Sequence, residues 1–405
     1  MKKLRSLLLT AALILAFAGC AVEPAATELS ETAAPTEWVL EETAETKKYD
    51  GVVLTFCSMW TESDPAAQVI VQAAEVFEAQ TGAVGQIQWL DGDYETISAG
   101  ADIFQMPGKL LAEKYLDSAL DLPEMAEAAG YGAKSYACLT EQVIARCGQL
   151  SGIPQTPYVT GIYYNREAFD ACGVDTVPGT WEDFLNLCGK LKDGGWEPLT
   201  LDSASAGELL TWCLGGKTTT QLLESGGWSK NEQAVQAAQD ILDFVKAGYL
   251  ATGAPGEYPA GQNKIGLSNA VMAVGTNEIC GQIEEETCMD LSWGMFPWPG
   301  TESAADADVL AVAAGASQPQ AAFDFIMLLA TGEFDQLRAD ITGGIPADPG
   351  NASPIAGAAE AMLTAAGTAD RTAQFSGEQL DVICELWQGK YKDGAAFAEA
   401  MDKLD

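Results

Sequence analysis

From Gly51 onward, short apolar and β-branched runs alternate with segments whose apolar residues recur at helical spacing. That alternation restricts the chain to few folds. "GVVLTFC" (51–57) has the composition of a strand. The polar loop "SMWTESDP" follows, in which Asp64 or Ser63 can cap a helix with Pro65 in its first turn. Ile70, Ala74 and Phe77 then recur at helical spacing, and Gly82 can end the helix. "VGQIQW" (84–89) and "ADIFQM" (101–106) supply two more strands. Strands separated by helices predict a parallel sheet covered on both faces. Ligands of such sheets sit beyond the carboxyl ends of the strands, which places Trp60, Glu62 and Gln105 beside a ligand.

Beyond "SGIPQTPYVTGIYYN" the spacing predicts helices over 166–172 and 181–192, the second opened by a capping box at Thr180 and Asp183. Pro178 keeps the preceding segment from running on. "WEPLTL" reads as a strand, followed by helices near 207–213 and 233–247. "NAVMAVG" (269–275) reads as a buried strand, and "SWGMFPWPG" and "DVLAVAAG" as an interrupted extended pair. "PQAAFDFIMLLA", "GEQLDVICELWQG" and "GAAFAEAMDKL" close the chain as helices. No internal repeat is visible. The folded part starts near Tyr49 and, being too long for one average domain, fits two lobes.

Ahead of it, Met1–Arg5 is basic, Ser6–Phe17 is a short apolar core, and Ala18-Gly19-Cys20 follows. This is a signal peptide over 1–19. "FAGC" resembles the bacterial lipobox, which implies that Cys20 is lipidated and holds the protein at the outer face of the cytoplasmic membrane. Residues 20–48 are rich in Ala, Thr, Glu and Pro. Too few apolar groups are present there to drive folding, so the segment reads as a disordered tether whose ends lie about 30 Å apart.

The chain carries 21 Lys+Arg against 58 Asp+Glu, a net charge of −37, and the leader removes three of those bases and no acid. Such a body repels nucleic acid and anionic lipid. There is no histidine, which excludes Ser-His and Cys-His catalysis and every His-ligated metal site. Of ten cysteines, nine remain after Cys20, without C-x-x-C spacing. Cys138 with Cys147, or Cys280 with Cys288, are within local disulfide range along the chain, but small buried thiols are the reading adopted.

The order of parts resembles the extracellular solute-binding proteins that feed sugar-importing ATP-driven transporters, the group that includes maltodextrin-binding proteins. The pieces are "FEAQTG", "GIPQTPYVTGIYYNREAFDACGV", "PGTWEDFLNLCGKLKDGGWEPLTL", "AVMAVGTNEI", "AAFDFIMLLAT", "GGIPA" and "LWQGKYKDGAAFAEAMDKL". The resemblance implies an α/β fold of the two-lobe, type II periplasmic-binding kind. Each lobe is a mostly parallel sheet flanked by helices, with a ligand cleft between them. It implies an N-terminal lobe of 49–156 plus 309–340 and a C-terminal lobe of 157–308 plus 341–405. "GIPQTPYVTG" becomes a strand passing between lobes, limited by Pro154 and Pro157 and able to bend at Gly161. The implied function is capture of a mono- or oligosaccharide by a monomer that passes it to permease subunits, with no cofactor, metal or catalysis.

A neutral sugar needs aromatic faces for its C–H patches and planar polar groups for its hydroxyls. The resemblance points to Trp60, Glu62, Gln105, Tyr158, Trp212, Asn269, Asn277, Trp298 and Phe375. Trp212 lies in an apolar helix and is as well suited to the core, Trp298 is held between prolines at a lobe junction, and Trp181 packs in its lobe's core. Asn277 stands where many relatives carry Trp, which removes one stacking surface. Two other classes stay open: a glycoside hydrolase with two carboxylates, and a binder of another solute such as a polyamine, which three or more cleft carboxylates would favour.

Overall fold

The computed structural model describes residues 47–404 apart from 98–99, 258–260, 262–263, 302–303 and 354–374. The leader, Cys20 and the tether up to residue 46 lie outside the described residues. The folded body begins where Lys48 and Tyr49 both donate to Asp324 Oδ2, at 2.7 and 2.6 Å.

The first sheet is built on β1 (Val53–Ser58), which pairs in parallel with β2 (Val84–Trp89) and β3 (Ile103–Pro107). Its next strand is β8 (Ala304–Val312), antiparallel to β3, and then the first half of β4 (Ile153–Asn165), antiparallel to β8. The second half of β4 leaves that sheet and starts another. There β6 (Ala270–Gly275) and β7 (Trp293–Phe296) flank it antiparallel, and β5 (Glu197–Thr200) lies parallel outside β6. The α/β two-lobe class holds, with mixed sheets: of two strands that run side by side in opposite directions, one must oppose the parallel members of each sheet, β8 in the first and β4 in the second.

Two cores follow this division. One gathers Leu54, Phe56, Ile70, Phe77, Phe104, Val309, Phe323 and Phe325. The other gathers Phe169, Phe184, Leu199, Trp228, Val271, Phe296 and Trp387. A third, smaller cluster lies along the strands that pass between them and includes Val159, Tyr163, Ala273, Cys280, Trp293 and Ile345.

Local chemistry explains the passage. The β4–β8 register shifts between Pro154 and Thr156, as expected where a proline gives the ladder no N–H. Gln155 loses its register partner there, and its Oε1 accepts from Gln105 Nε2 at 2.7 Å. Gly161 is not a bend: β4 runs through it unbroken, and a Cβ there would lie 2.9 Å from the Phe296 carbonyl oxygen. Glycine is required by that close approach to β7. β4 ends at Asn165, whose side chain caps the Arg166–Ala171 helix through Glu167 N at 2.9 Å. Tyr164 stacks on Phe169 with ring centroids 3.9 Å apart. Thr180 caps the Trp181–Asp193 helix, and its hydroxyl also donates to Asp183 Oδ2 at 2.7 Å. Trp181 packs at the core edge against Phe184, Phe244 and Trp298.

Two local expectations change. The Ala67–Thr81 helix starts after Ala66 with no side-chain cap, because the Asp64 carboxylate is occupied by the N–H and hydroxyl of Thr61 at 2.6 and 3.0 Å. None of the nine described cysteines is in a disulfide. Cys138 and Cys147 sit nine residues apart on one helix, as Cys280 and Cys288 sit eight apart along and just past another. At 1.5 Å of rise per residue such pairs are separated by about 12–14 Å, beyond disulfide reach.

Candidate functional site

A cavity of about 570 Å³ lies between the loop after β1 and the Glu278–Thr287 helix. Trp60, Asp64 and Pro65 form the first wall, Asn277, Glu278, Gln282 and Glu285 the second. Thr156 and Tyr158 of β4 form part of the lining, and Arg338 with Thr342–Gly344 closes it at the end of the Gly332–Thr342 helix. Both walls are thus carboxyl strand ends, β1 on one side and β6 on the other, as an open α/β sheet requires.

Trp60 is half-buried, resting on the first core while lining the cavity. Its loop is held by Trp60 N donating to Ser58 Oγ at 3.3 Å and by the Thr61–Asp64 turn. Asn277 accepts from Val159 N through Oδ1 at 2.8 Å and donates through Nδ2 to the Pro157 carbonyl at 3.3 Å. It therefore splices the start of the second wall onto the crossing strand. Tyr158 donates its hydroxyl to Asp308 on the adjacent β8.

Asp308 is 2 % exposed. Burial pushes its carboxyl up to about 7, and Glu278 and Asp306 add to the rise; the Tyr158 hydrogen bond and Arg338 pull the other way. Burial likewise holds the Tyr158 hydroxyl well above its usual range and raises Glu278, which Arg338 partly offsets. Asp306 forms an ion pair with Arg146 at 2.7 Å.

Of the residues singled out from sequence, Trp60, Tyr158 and Asn277 come together in this cavity. Glu62 is exposed on the same loop and does not line it. Gln105 is fully buried between Ser58 Oγ at 2.8 Å and Gln155. Asn269 is exposed at the amino end of β6, the end away from Gly275 and the crossing strands. Trp212, Trp298 and Phe375 belong to the second core's packing: Trp298 is 4 % exposed and lies 5.9 Å from Trp212 and 5.2 Å from Phe184. The cavity adds Thr156, Glu278, Gln282, Glu285 and Arg338, with Asp308 behind Tyr158. Asp335 and Arg338 at helical i,i+3 spacing were a visible pair, but nothing local announced that both are buried. Among the described residues, no group of three His, Cys, Asp or Glu is placed to hold a metal ion.

A two-lobe α/β body with its cavity at strand ends between the lobes is the architecture that two-lobe solute-binding proteins share. The profile of the family described as bacterial extracellular solute-binding protein matches residues 65–365, about three-quarters of the chain, and the chain belongs to that family. Solved structures share its fold at low identity. A putative binding protein, MsmE of Bacillus subtilis in an open conformation, has 15% identity, a TM-score of 0.67, and coverage of 89% of this chain and 97% of its own. Apo RafE of Streptococcus pneumoniae has 16%, 0.67, and 87% and 96%. Maltose-bound MalE3 of T. maritima has 17%, 0.62, and 87% and 98%. No curated protein matches the chain in sequence.

Proposed function

We propose that the chain captures a mono- or oligosaccharide in this cleft and delivers it to membrane permease subunits by lobe closure, as a binding protein and not an enzyme. The observation that carries the reading is the lining itself. An indole at Trp60 faces amide, hydroxyl, carboxylate and guanidinium groups in about 570 Å³, space for a small saccharide. The lobe boundaries fall at Thr156/Pro157 and Asp308/Val309, where Thr156 and Asp308 are register partners. Sugar ligands named for several structural neighbours agree with this reading.

A melting-temperature screen of saccharides and polyamines tests it, since a ligand that binds only the folded state raises the midpoint by mass action. Trp60→Ala should weaken the saccharide so found by about ten- to a hundredfold, for a stacking contact of about 1–3 kcal/mol. Because Trp60 also rests on the first core, the variant should lose some stability, well short of the about 3–5 kcal/mol of a wholly buried Trp. Full stability loss with unchanged affinity, read by calorimetric titration, would remove Trp60 from the site. A radius of gyration that shrinks on ligand saturation is the expected companion result for closure.

A second reading has its own observation. Asp64, Glu278, Glu285 and Asp340 all line the cleft, and four carboxylates suit a polyamine's ammonium groups. The same screen separates the two.

We also propose that Cys20 anchors the mature chain by lipid. Among the described residues no helix is long and apolar enough to cross a membrane. Cys20→Ser should release the protein or leave it uncleaved; a processed and still membrane-held variant would refute the anchor.

A further inference from the structure

Arg338, at the back of the cleft, is 1 % exposed. Its Nη2 donates to Asp335 Oδ1 at 2.9 Å and to the Ile345 carbonyl at 2.7 Å. Nε and Nη1 have no partner among the described residues. A guanidinium has five N–H donors and no acceptor, and leaving buried charged donors unpaired is costly. Asp335 does not relieve them, because its two oxygens already receive Ala347 N, Asp348 N and Asn351 Nδ2 at 3.0, 2.9 and 3.1 Å.

Facing it from the other wall is Glu278, half-buried in the first turn of its helix. The two are electrostatic neighbours, since Arg338 pulls the Glu278 carboxyl back against the rise that burial imposes. They form no ion pair with each other within 4.0 Å. One wall therefore offers hydrogen-bond donors in want of acceptors, and the other an acceptor in want of donors.

We propose that Arg338 and Glu278 together read a vicinal pair of ring hydroxyls, Arg338 donating to one oxygen and Glu278 accepting from its neighbour. The proposal rests on the carbohydrate reading and deepens it. A hydroxyl is both donor and acceptor, so a diol satisfies both side chains at once. A protonated amine has donors only; it would satisfy Glu278 but leave Arg338 unpaired and repelled. The pair thus selects a neutral polyol in a cleft whose carboxylates outnumber its cations. The backbone beside the guanidinium is glycine: a Cβ at Gly344 would lie 3.6 Å from Nη1, so no side chain from 343 or 344 fills that approach.

The test is calorimetric titration of the full chain with maltose, raffinose and stachyose, and with spermidine as the polycation probe. Wild type should bind at least one saccharide. On that saccharide, Arg338→Lys should weaken binding by about ten- to a hundredfold, because it keeps a charge opposite Asp335 but removes Nε–H and Nη1. Glu278→Gln should weaken it by about tenfold without lowering the ligand-free melting temperature. That variant disturbs no hydrogen bond of the fold and carries the test if Arg338→Lys is too unstable to purify. Saccharide affinity within about twofold of wild type in Glu278→Gln would overturn the proposal while leaving the carbohydrate reading intact. Wild type that binds spermidine and none of the saccharides would overturn both.

Discussion

Replacing Asp335 with alanine should cost the folded protein about 3–5 kcal/mol, the range for breaking a buried ion pair from one side. Asp335 is fully buried and pairs with Arg338 three residues on, which is also buried. Without the carboxylate, the guanidinium keeps its charge and only the Ile345 carbonyl as partner. The backbone N–H groups of Ala347 and Asp348 lose their acceptors as well, and these residues follow the Gly-Gly-Ile-Pro turn that closes the back of the cleft. One side chain therefore holds the Gly332–Thr342 helix to the segment that leaves it. Asp335→Asn, which keeps one acceptor oxygen, should lose less. Denaturant midpoints with unchanged m-values decide the matter: a loss below about 1 kcal/mol for the alanine variant would show that the network is no brace.

Most elements were legible because their signals are local. The runs at 84–89 and 319–330 form a strand and a helix over those same residues, and Thr180 caps where the box motif placed it. Those features need only periodicity, a cap and a proline. The site was less legible because it is assembled from distant segments. Trp60 could be placed by the rule for strand ends. Asn269 was singled out on a strand whose other end meets the cavity, and direction within a sheet depends on pairing with β4, more than a hundred residues earlier. Gln105 also follows the strand-end rule, yet the shifted register at Gln155 turns that partner inward to meet it. Asp308 and Arg338 were missed for a related reason. Burial of a charge is decided by what crosses over it, and here that is β4 for one and the Gly343–Ala347 segment for the other.

The protein should become less stable as pH rises from about 4 to about 7, the reverse of the usual carboxylate trend. Asp308 is the cause. Its ordinary pKa of 3.8 is pushed to about 7, first by burial and then by Glu278 and Asp306, against the pull of Tyr158 and Arg338. The folded protein therefore keeps a proton that the unfolded chain gives up near pH 4. Stability from that proton is fully present below the unfolded value and is lost as pH rises through the folded one. Three pH units at about 1.4 kcal/mol each set a ceiling of about 4 kcal/mol. Glu278, raised by burial, acts in the same direction. Asp324 and Asp402 act oppositely: against burial, Lys48, Tyr49 and Gln320 hold the first below its usual range, and Ser229 and its backbone neighbours hold the second. Their contributions are lost only as pH falls below the usual carboxylate range, whereas those of Asp308 and Glu278 are lost as pH rises above it. Melting wild type and Asp308→Asn at pH 5 and pH 8 isolates Asp308, since asparagine keeps an acceptor for the Tyr158 hydroxyl and cannot ionise. Wild type should melt several degrees lower at pH 8, and Asp308→Asn should keep only the slope that Glu278 supplies. Parallel profiles for the two proteins would mean that Asp308 is ionised throughout, with Tyr158 and Arg338 outweighing its burial. Because Tyr158 lines the cleft while donating to Asp308, ionisation also sets a full negative charge directly behind the cleft, on the two strands that pass between the lobes.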